Sequence, residues 1–286
     1  MKQFQGKSCI VTGAASGIGK SLVDALAKRG AHVVATDVNT ELLHKSASAV
    51  TPSGGEVTAR ELDVTDYEAF RDVIDDVVAK RGRLDYIFNN AGIVFVGELR
   101  DQSIEQWRKV LNVNLHGVVH GSLLAYKQML RQGGGHIVNI SSIEGLIPFP
   151  ATMSYVTSKF GVMGLSQSLW IEGKDLGVAV SAVCPGFIKT PIFETSPMVG
   201  YDRQQFLKAL SVWERFGITP DKCAQVILDG VARNKAIIPV TFMARIMWWL
   251  GRLSPTFLMN LTRKDFKKWR DKVRGASEGK LPADQK

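Results

Sequence analysis

The sequence predicts an α/β fold: a doubly wound parallel sheet of seven strands with helices on both faces and a helical extension at the C-terminus. Short β-branched runs alternate with longer amphipathic stretches almost from end to end. The strand candidates are nearly continuous in apolar character, as parallel strands covered on both faces must be. The chain has 286 residues, 45% apolar and 22% charged, which suits one large core. It shows no internal repeat, and no linker before about residue 235.

In chain order the strand candidates are SCIVT, HVVATD, EVTARELDV, LDYIFNN, GHIVNIS, VAVSAV and AIIPV. Helices are expected over residues 17–29, 40–50, 66–80, 103–130, 155–172 and 221–234, where apolar residues recur at three- and four-residue spacing. This alternation requires right-handed crossovers. Residues 1–240 are therefore expected to form one catalytic domain. Residues 241–286 form a basic amphipathic extension rather than an independent domain.

Cys9, Cys184 and Cys223 form no C-x-x-C pair, and two of them sit in strand runs. A disulfide framework or metal site is not expected, which fits a reducing cytoplasm. MKQFQGKSCIVTG has too short an apolar run for a signal peptide. The net charge of +9 is concentrated in the tail. Between Arg245 and Arg274 nine basic residues stand against Asp265 and Asp271, by default a solvated helix face. No nucleic-acid recognition module accompanies them, so a nucleic-acid partner is not expected.

Directly after the first strand stands Thr12-Gly13-Ala14-Ala15-Ser16-Gly17-Ile18-Gly19, followed by a helical run. A glycine-rich strand-to-helix turn lets backbone N–H groups and the helix N-terminus face a pyrophosphate. The expected cofactor contacts of this loop are Gly13, Ser16, Gly17, Ile18 and Gly19. Asp37 ends the second strand, eighteen residues after Gly19. A carboxylate there accepts from the adenosine ribose hydroxyls and repels a 2′-phosphate, so NAD(H) is expected over NADP(H).

The glycine spacing is T-G-x-x-x-G-x-G, and in this the sequence resembles the short-chain dehydrogenase/reductase family. The resemblance implies a Rossmann-type sheet. It also implies cofactor contacts from Asp63 and Val64 after the third strand, and from Asn90, Ala91 and Gly92 in the Asn89-Asn90-Ala91-Gly92 motif after the fourth. After the sixth come Pro185, Gly186, Ile188 and Thr190, with Thr190 reaching the nicotinamide carboxamide. NADP-preferring relatives carry a basic residue at the position of Ser16, which again favours NAD(H).

Tyr155 and Lys159 are four apart on an expected helix, hence on one face. Such a pair arises by chance in many chains. An adjacent ammonium and the positive nicotinamide ring both favour phenolate, making Tyr155 able to exchange a proton with an alcohol oxygen. Ser142 ends the fifth strand, where ligands sit in open parallel sheets, and its hydroxyl can donate to the substrate oxygen. Ser141 has the opposite strand polarity and is the weaker candidate. By resemblance Asn114, rather than Asn112, is the catalytic asparagine, on a helix whose carbonyl holds a water leading to Lys159. Lys159 and Tyr155 also touch the cofactor. Glu144 stands where the family mostly carries a small residue; it is expected to be solvated, with the pocket mouth as the alternative.

Together these residues predict an alcohol dehydrogenase or ketone reductase moving a hydride between NAD(H) and a substrate carbon. Phe187, Ile188, Phe193, Met198, Val199, Tyr201, Phe206, Leu207 and Trp213 follow the sixth strand, and in relatives this segment covers the substrate. An apolar secondary alcohol or ketone is the expected partner. Phe193 and Met198 suit core packing equally well. The alternatives are a catalytically silent nucleotide-binding scaffold or a membrane-associated protein on the same fold. By resemblance the chain is a homodimer or homotetramer.

The tail reads as two helices broken at Ser254-Pro255, with Ser as N-cap and Pro at the first helical position. Phe242, Ile246, Trp249, Leu250 and Leu253 line one face of the first, and Leu258, Phe266, Trp269 and Val273 one face of the second. Neither can span a membrane. Packing of these faces on the domain or a subunit is the leading expectation, and peripheral contact with a membrane surface is the alternative.

Overall fold

A computed structural model describes residues 2–51, 54–214 and 216–274. Seven parallel strands form one sheet in the order β3-β2-β1-β4-β5-β6-β7. They are β1 Ser8–Thr12, β2 His32–Asp37, β3 Glu56–Glu61, β4 Tyr86–Asn89, β5 Gly135–Ile140, β6 Val178–Cys184 and β7 Ile237–Pro239. Each lies in its predicted run, apart from the last residue of β6.

Successive strand residues face opposite layers. Cys9, Val11, Phe88 and Val138 pack with Leu22 and Leu26 of α1 (Gly17–Ala27) and with Ile227 and Leu228 of α9 (Pro220–Ala232). Ile10, Ile87 and Ile137 point the other way, onto Phe70 and Ile74 of α3 (Tyr67–Arg81) and Leu124 and Met129 of α5 (Gly117–Arg131). Both faces are thus covered. The three cysteines are buried and unpaired.

Helix starts follow the capping chemistry of the sequence. Asn39, Asp66, Ser103, Thr219, Thr241 and Ser254 each accept from a first-turn N–H, worth about 1 kcal/mol apiece. They open α2 (Thr40–Ser48), α3, α4 (Ile104–Leu111), α9, α10 (Phe242–Leu253) and α11 (Pro255–Val273). Ser16, before α1, makes no such bond.

Three regions differ from expectation. The long helix over 103–130 is interrupted by a π-helical turn, Asn112–His116, between α4 and α5. Two helices were not expected, α7 (Ile192–Thr195) and α8 (Arg203–Glu214), because Phe206 and Leu207 read as substrate-covering loop. The tail's two apolar faces diverge. Leu258 and Val273 of α11 are buried, and Trp269 packs on α8. On α10 the buried side is that of Ala244, while Phe242, Trp249 and Leu253 face outward. Within the chain, the apolar face of the second helix packs on the domain and that of the first does not. Arg274 pins the end of α11 to Glu98 at 2.7 Å, so part of the basic run is ion-paired rather than solvated. Residues 275–286 of the extension lie outside the described residues.

Candidate active site

The strand order reverses between β1 and β4, and the chain ends of these strands open a crevice where dinucleotides sit in such sheets. Gly13 has φ +64° and a Cβ there would lie 2.7 Å from the Ala91 Cα; a Cβ on Gly19 would lie 2.0 Å from the Gly13 carbonyl oxygen. Glycine at both positions lets the loop, the start of α1 and the segment after β4 close together. Asn90 Nδ2 donates to the carbonyls of Thr12 at 2.9 Å and Gly13 at 3.1 Å. Thr12 Oγ1 accepts from the Asn90 and Ala91 N–H groups at 2.9 and 3.0 Å. Thr12 was not among the expected site residues; its signal is the first letter of the glycine motif.

Gly17 has φ +53°, and a Cβ on it would sit 3.2 Å from Thr190 Cγ2. The glycine loop and the segment after β6 are thereby brought face to face. Ile18 packs into the core beneath, and Ser16 is exposed. With no side-chain cap, the first-turn N–H groups of α1 are open to an anion. The residues present fit a dinucleotide.

Asp37 holds its carboxylate at the lip of this loop, accepting from the N–H of Ala15 at 3.0 Å and of Asn39 at 3.0 Å. Asp63 is exposed and accepts from Thr65 N–H at 2.9 Å. Val64 is buried, and its side chain lies where a Cβ on Gly117 would be 2.6 Å away. Pro185 accepts the Ile143 N–H at 2.7 Å, joining the segments after β5 and β6. A Cβ on Gly186 would reach within 2.2 Å of Thr241 Oγ1, and Ile188 pairs with Ile218.

Tyr155 and Lys159 lie on α6 (Met153–Lys174). Lys159 is buried, its Nζ 5.3 Å from the Tyr155 ring centroid and donating to the Ile140 carbonyl at 2.9 Å. Burial pushes its pKa down to about 8. Ser142 lies beside the tyrosine hydroxyl and favours its phenolate, while its own Oγ accepts the Glu144 N–H at 3.1 Å. Ser141 instead donates to the Lys159 carbonyl at 2.9 Å, turned away as strand alternation requires. Asn114 is buried in the π turn and clamps the backbone of Ile93, accepting from its N–H and donating to its carbonyl, both at 2.8 Å. A Cβ on Gly92 would stand 3.4 Å from Asn114 Oδ1 and 3.6 Å from Lys159 Nζ. Asn114, Ser142, Tyr155 and Lys159 thus converge at the chain ends of β4 and β5.

Burial adds an opposing influence at Tyr155 and corrects the expectation for Glu144. In the protein alone the Tyr155 hydroxyl is pushed up, chiefly by burial and then by the Glu144 carboxylate. Lys159 Nζ donates to the Ile140 carbonyl while standing 5.3 Å from the phenol ring centroid. Glu144 is not a solvated side chain. It accepts from Thr152 Oγ1 at 2.6 Å, and burial pushes its pKa up to about 7 despite the opposing influences of that bond and of Lys159. Thr152, immediately before α6, gives its hydroxyl to Glu144 and makes no cap bond to the helix. No motif flagged this carboxylate; the departure from a small residue was the available signal.

Tyr155 packs against an apolar cluster of Val94, Val96 and Phe206, joined by Ile192, Phe193, Met198, Tyr201, Leu207 and Trp269. Phe193 and Met198 pack here, within reach of the tyrosine. Trp269 closes over it from α11, 5.5 Å from Phe206 and 5.2 Å from Tyr201. The Trp213 side chain lies outside the described residues.

Residues 7–198 match the family model for short chain dehydrogenases. The chain is 38% identical over 226 residues to the 3-oxoacyl-(acyl-carrier-protein) reductase FabG of Thermotoga maritima, covering 79% of this chain and 90% of that protein. It is 38% identical over 201 residues to a cyclohexanol dehydrogenase of an Acinetobacter species, covering 69% and 80%. A crystal structure of a short chain dehydrogenase/reductase from Burkholderia phymatum in complex with NAD superposes with a TM-score of 0.76 at 29% identity, covering 84% of this chain and 90% of that one.

Proposed function

Since the chain belongs to the short-chain dehydrogenase/reductase family, we propose that it is an NAD(H)-dependent oxidoreductase acting on an apolar secondary alcohol or its ketone. The convergence of Ser142, Tyr155 and Lys159 beside an apolar cluster carries this reading. Gly13, Ser16, Gly17, Ile18, Gly19, Asp37, Asp63, Val64, Asn90, Ala91, Gly92, Pro185, Gly186, Ile188 and Thr190 would hold the dinucleotide, with Asp37 at the ribose and Thr190 at the carboxamide. When bound, the nicotinamide supplies the hydride acceptor or donor.

In the oxidative direction Tyr155 takes the hydroxyl proton of the substrate, and Ser142 donates a hydrogen bond to the oxygen that becomes the carbonyl. Lys159 orients the ribose and places positive charge under the phenol ring. Asn114 keeps the π turn docked on Ile93 and so completes a proton path to Lys159. Residues 1–240 act as the catalytic domain and 241–286 as its extension. The buried unpaired thiols suit a cytoplasmic enzyme. Exposed Leu123 and Leu130 on α5, with Phe160 and Ile171 on α6, support assembly as a homodimer or homotetramer.

The test is NADH formation with NAD⁺ and a panel of alcohols that includes cyclohexanol. Turnover is expected, and Tyr155→Phe should reduce kcat by about 10²-fold or more while NADH still binds, since the lost group is the proton carrier. A silent nucleotide-binding scaffold would bind NADH and turn over none of the panel.

A further inference from the structure

The helix of the tail that fails to bury its apolar face is a feature the proposed reaction does not use. Phe242, Ile246, Trp249 and Leu253 stand at i, i+4, i+7 and i+11 of α10, one stripe of a helix. Phe242, Trp249 and Leu253 are 74%, 60% and 79% exposed, and Phe257 at the start of α11 is 61% exposed. Leu261 continues the exposed row one turn later. The opposite side of α10 is already seated on the domain, so the stripe faces away from the chain's own core. Ala244 is fully buried, and a Cβ on Gly251 would lie 3.0 Å from Ile147 Cγ2. α11 is held by Leu258 and by Arg274 on Glu98.

The charges around this ridge are predominantly basic, with Asp265, at i+4 from Leu261, the acidic exception. Arg245 and Arg252 flank the stripe on α10, the latter stacked over Trp248 at 4.8 Å. Lys264 and Lys268 lie on the same flank of α11 as Phe257 and Leu261, at i+7 and i+11 from Phe257. From Arg245 to Arg274 nine basic residues face two acidic ones. Among the described residues no helix is long and apolar enough to cross a membrane.

We propose that the outer face of α10 and the first turns of α11 form a docking surface that lies on an anionic lipid bilayer. The aromatic and aliphatic ridge enters the headgroup boundary, and the arginines and lysines beside it reach the lipid phosphates. Charge selects this occupant: a second copy of the chain would present the same cationic flank, whereas an anionic bilayer complements it. Each basic residue near such a surface raises binding by about fivefold. The inner side of α11 places Trp269 on the apolar cluster next to Tyr155, so the docked face and the substrate region share one two-helix element. Docking is independent of the oxidoreductase reading, since it requires no turnover.

The test is co-sedimentation of the full-length protein with vesicles of phosphatidylcholine alone and of phosphatidylcholine with phosphatidylglycerol, alongside Trp249→Glu/Leu253→Glu. Both substituted side chains are exposed, and a cooperative melt with unchanged NADH affinity checks that the variant is folded. The wild type is expected to sediment with anionic vesicles at least tenfold more than with neutral ones. The double variant should lose at least tenfold of that binding. Three results overturn the proposal: wild type staying in the supernatant with anionic vesicles at low salt, equal binding of the double variant, or no lipid binding together with a lower oligomer mass of the variant. The last would make the ridge a subunit interface.

Discussion

Asp37 offers the sharpest quantitative test of the cofactor assignment. Its carboxylate is held by two backbone N–H groups, Ala15 and Asn39, each at 3.0 Å. No basic residue follows it at Val38 or Asn39, and Ser16 of the glycine loop is uncharged. A 2′-phosphate bearing about 1.5 to 2 negative charges, placed about 5 Å away at an effective dielectric of about 40, is repelled by about 3 kcal/mol. That is about a 10²-fold penalty on NADP(H). The same carboxylate gains about 1.5–3 kcal/mol from hydrogen bonds to the ribose hydroxyls of NAD(H). Asp37→Ala removes both, about 4.5–6 kcal/mol together, so the ratio of kcat/KM for NAD⁺ over NADP⁺ should fall by about 10³- to 10⁴-fold. Asp37→Asn keeps an acceptor for the Ala15 N–H and removes only the charge; it should recover most of the NADP⁺ gain and separate repulsion from loop distortion. Initial rates over a matrix of the two cofactors measure the ratio. A wild type that uses NADP⁺ as well as NAD⁺, or an Asp37→Ala ratio within about threefold of wild type, refutes the placement of this carboxylate at the ribose.

Lys159→Ala should lower kcat by about 10²-fold and also weaken NADH binding; unchanged NADH affinity in a fluorescence titration removes its ribose role. Glu144 has its pKa pushed up to about 7, so the folded state keeps a proton that the unfolded chain has released. Its contribution is full below about pH 4.5 and is lost as pH rises through 7, up to about 3 kcal/mol. His136, buried against Ser181 Oγ at 2.9 Å, is pushed down to about 4. Its contribution is full above about pH 6.5 and is lost as pH falls toward 4, again up to about 3 kcal/mol. The two slopes oppose one another, so urea stability across this window should show the rise with pH more steeply in Glu144→Gln and the fall more steeply in His136→Gln. Variants whose stability curves run parallel to wild type would remove both assignments.

Strand ends are legible in this chain because apolar runs stop abruptly where the functional residues begin: Thr12 before the glycine loop, Asp37, Asn89, and Ile140 before the serines. The cofactor crevice follows from the order of those ends. Elsewhere local pattern runs out. Phe206 and Leu210 have helical spacing, but the chemistry assigned to their segment concealed α8. The Phe242 stripe and the Leu258 face look alike as periodicities, and only three-dimensional packing decides that one is outward and the other inward. Glu144 was hardest, since its burial depends on Thr152, eight residues away and across the turn into α6. The lysine's aim at the Ile140 carbonyl likewise has no trace in a four-residue spacing.

The π turn at Asn112–His116 has a consequence for how this chain could change over generations. A π turn accommodates one more residue than an α turn, while the helices on either side keep the faces they bury. Loss of a single codon in this stretch would let the rod rewind as continuous α-helix, with Val110 and Val118 still turned to the interior. What would go is the seating of Asn114 on Ile93. On the role proposed for Asn114, fold and chemistry are therefore separable here by one short deletion, and a lineage could exchange the enzyme for an inert nucleotide binder in one step.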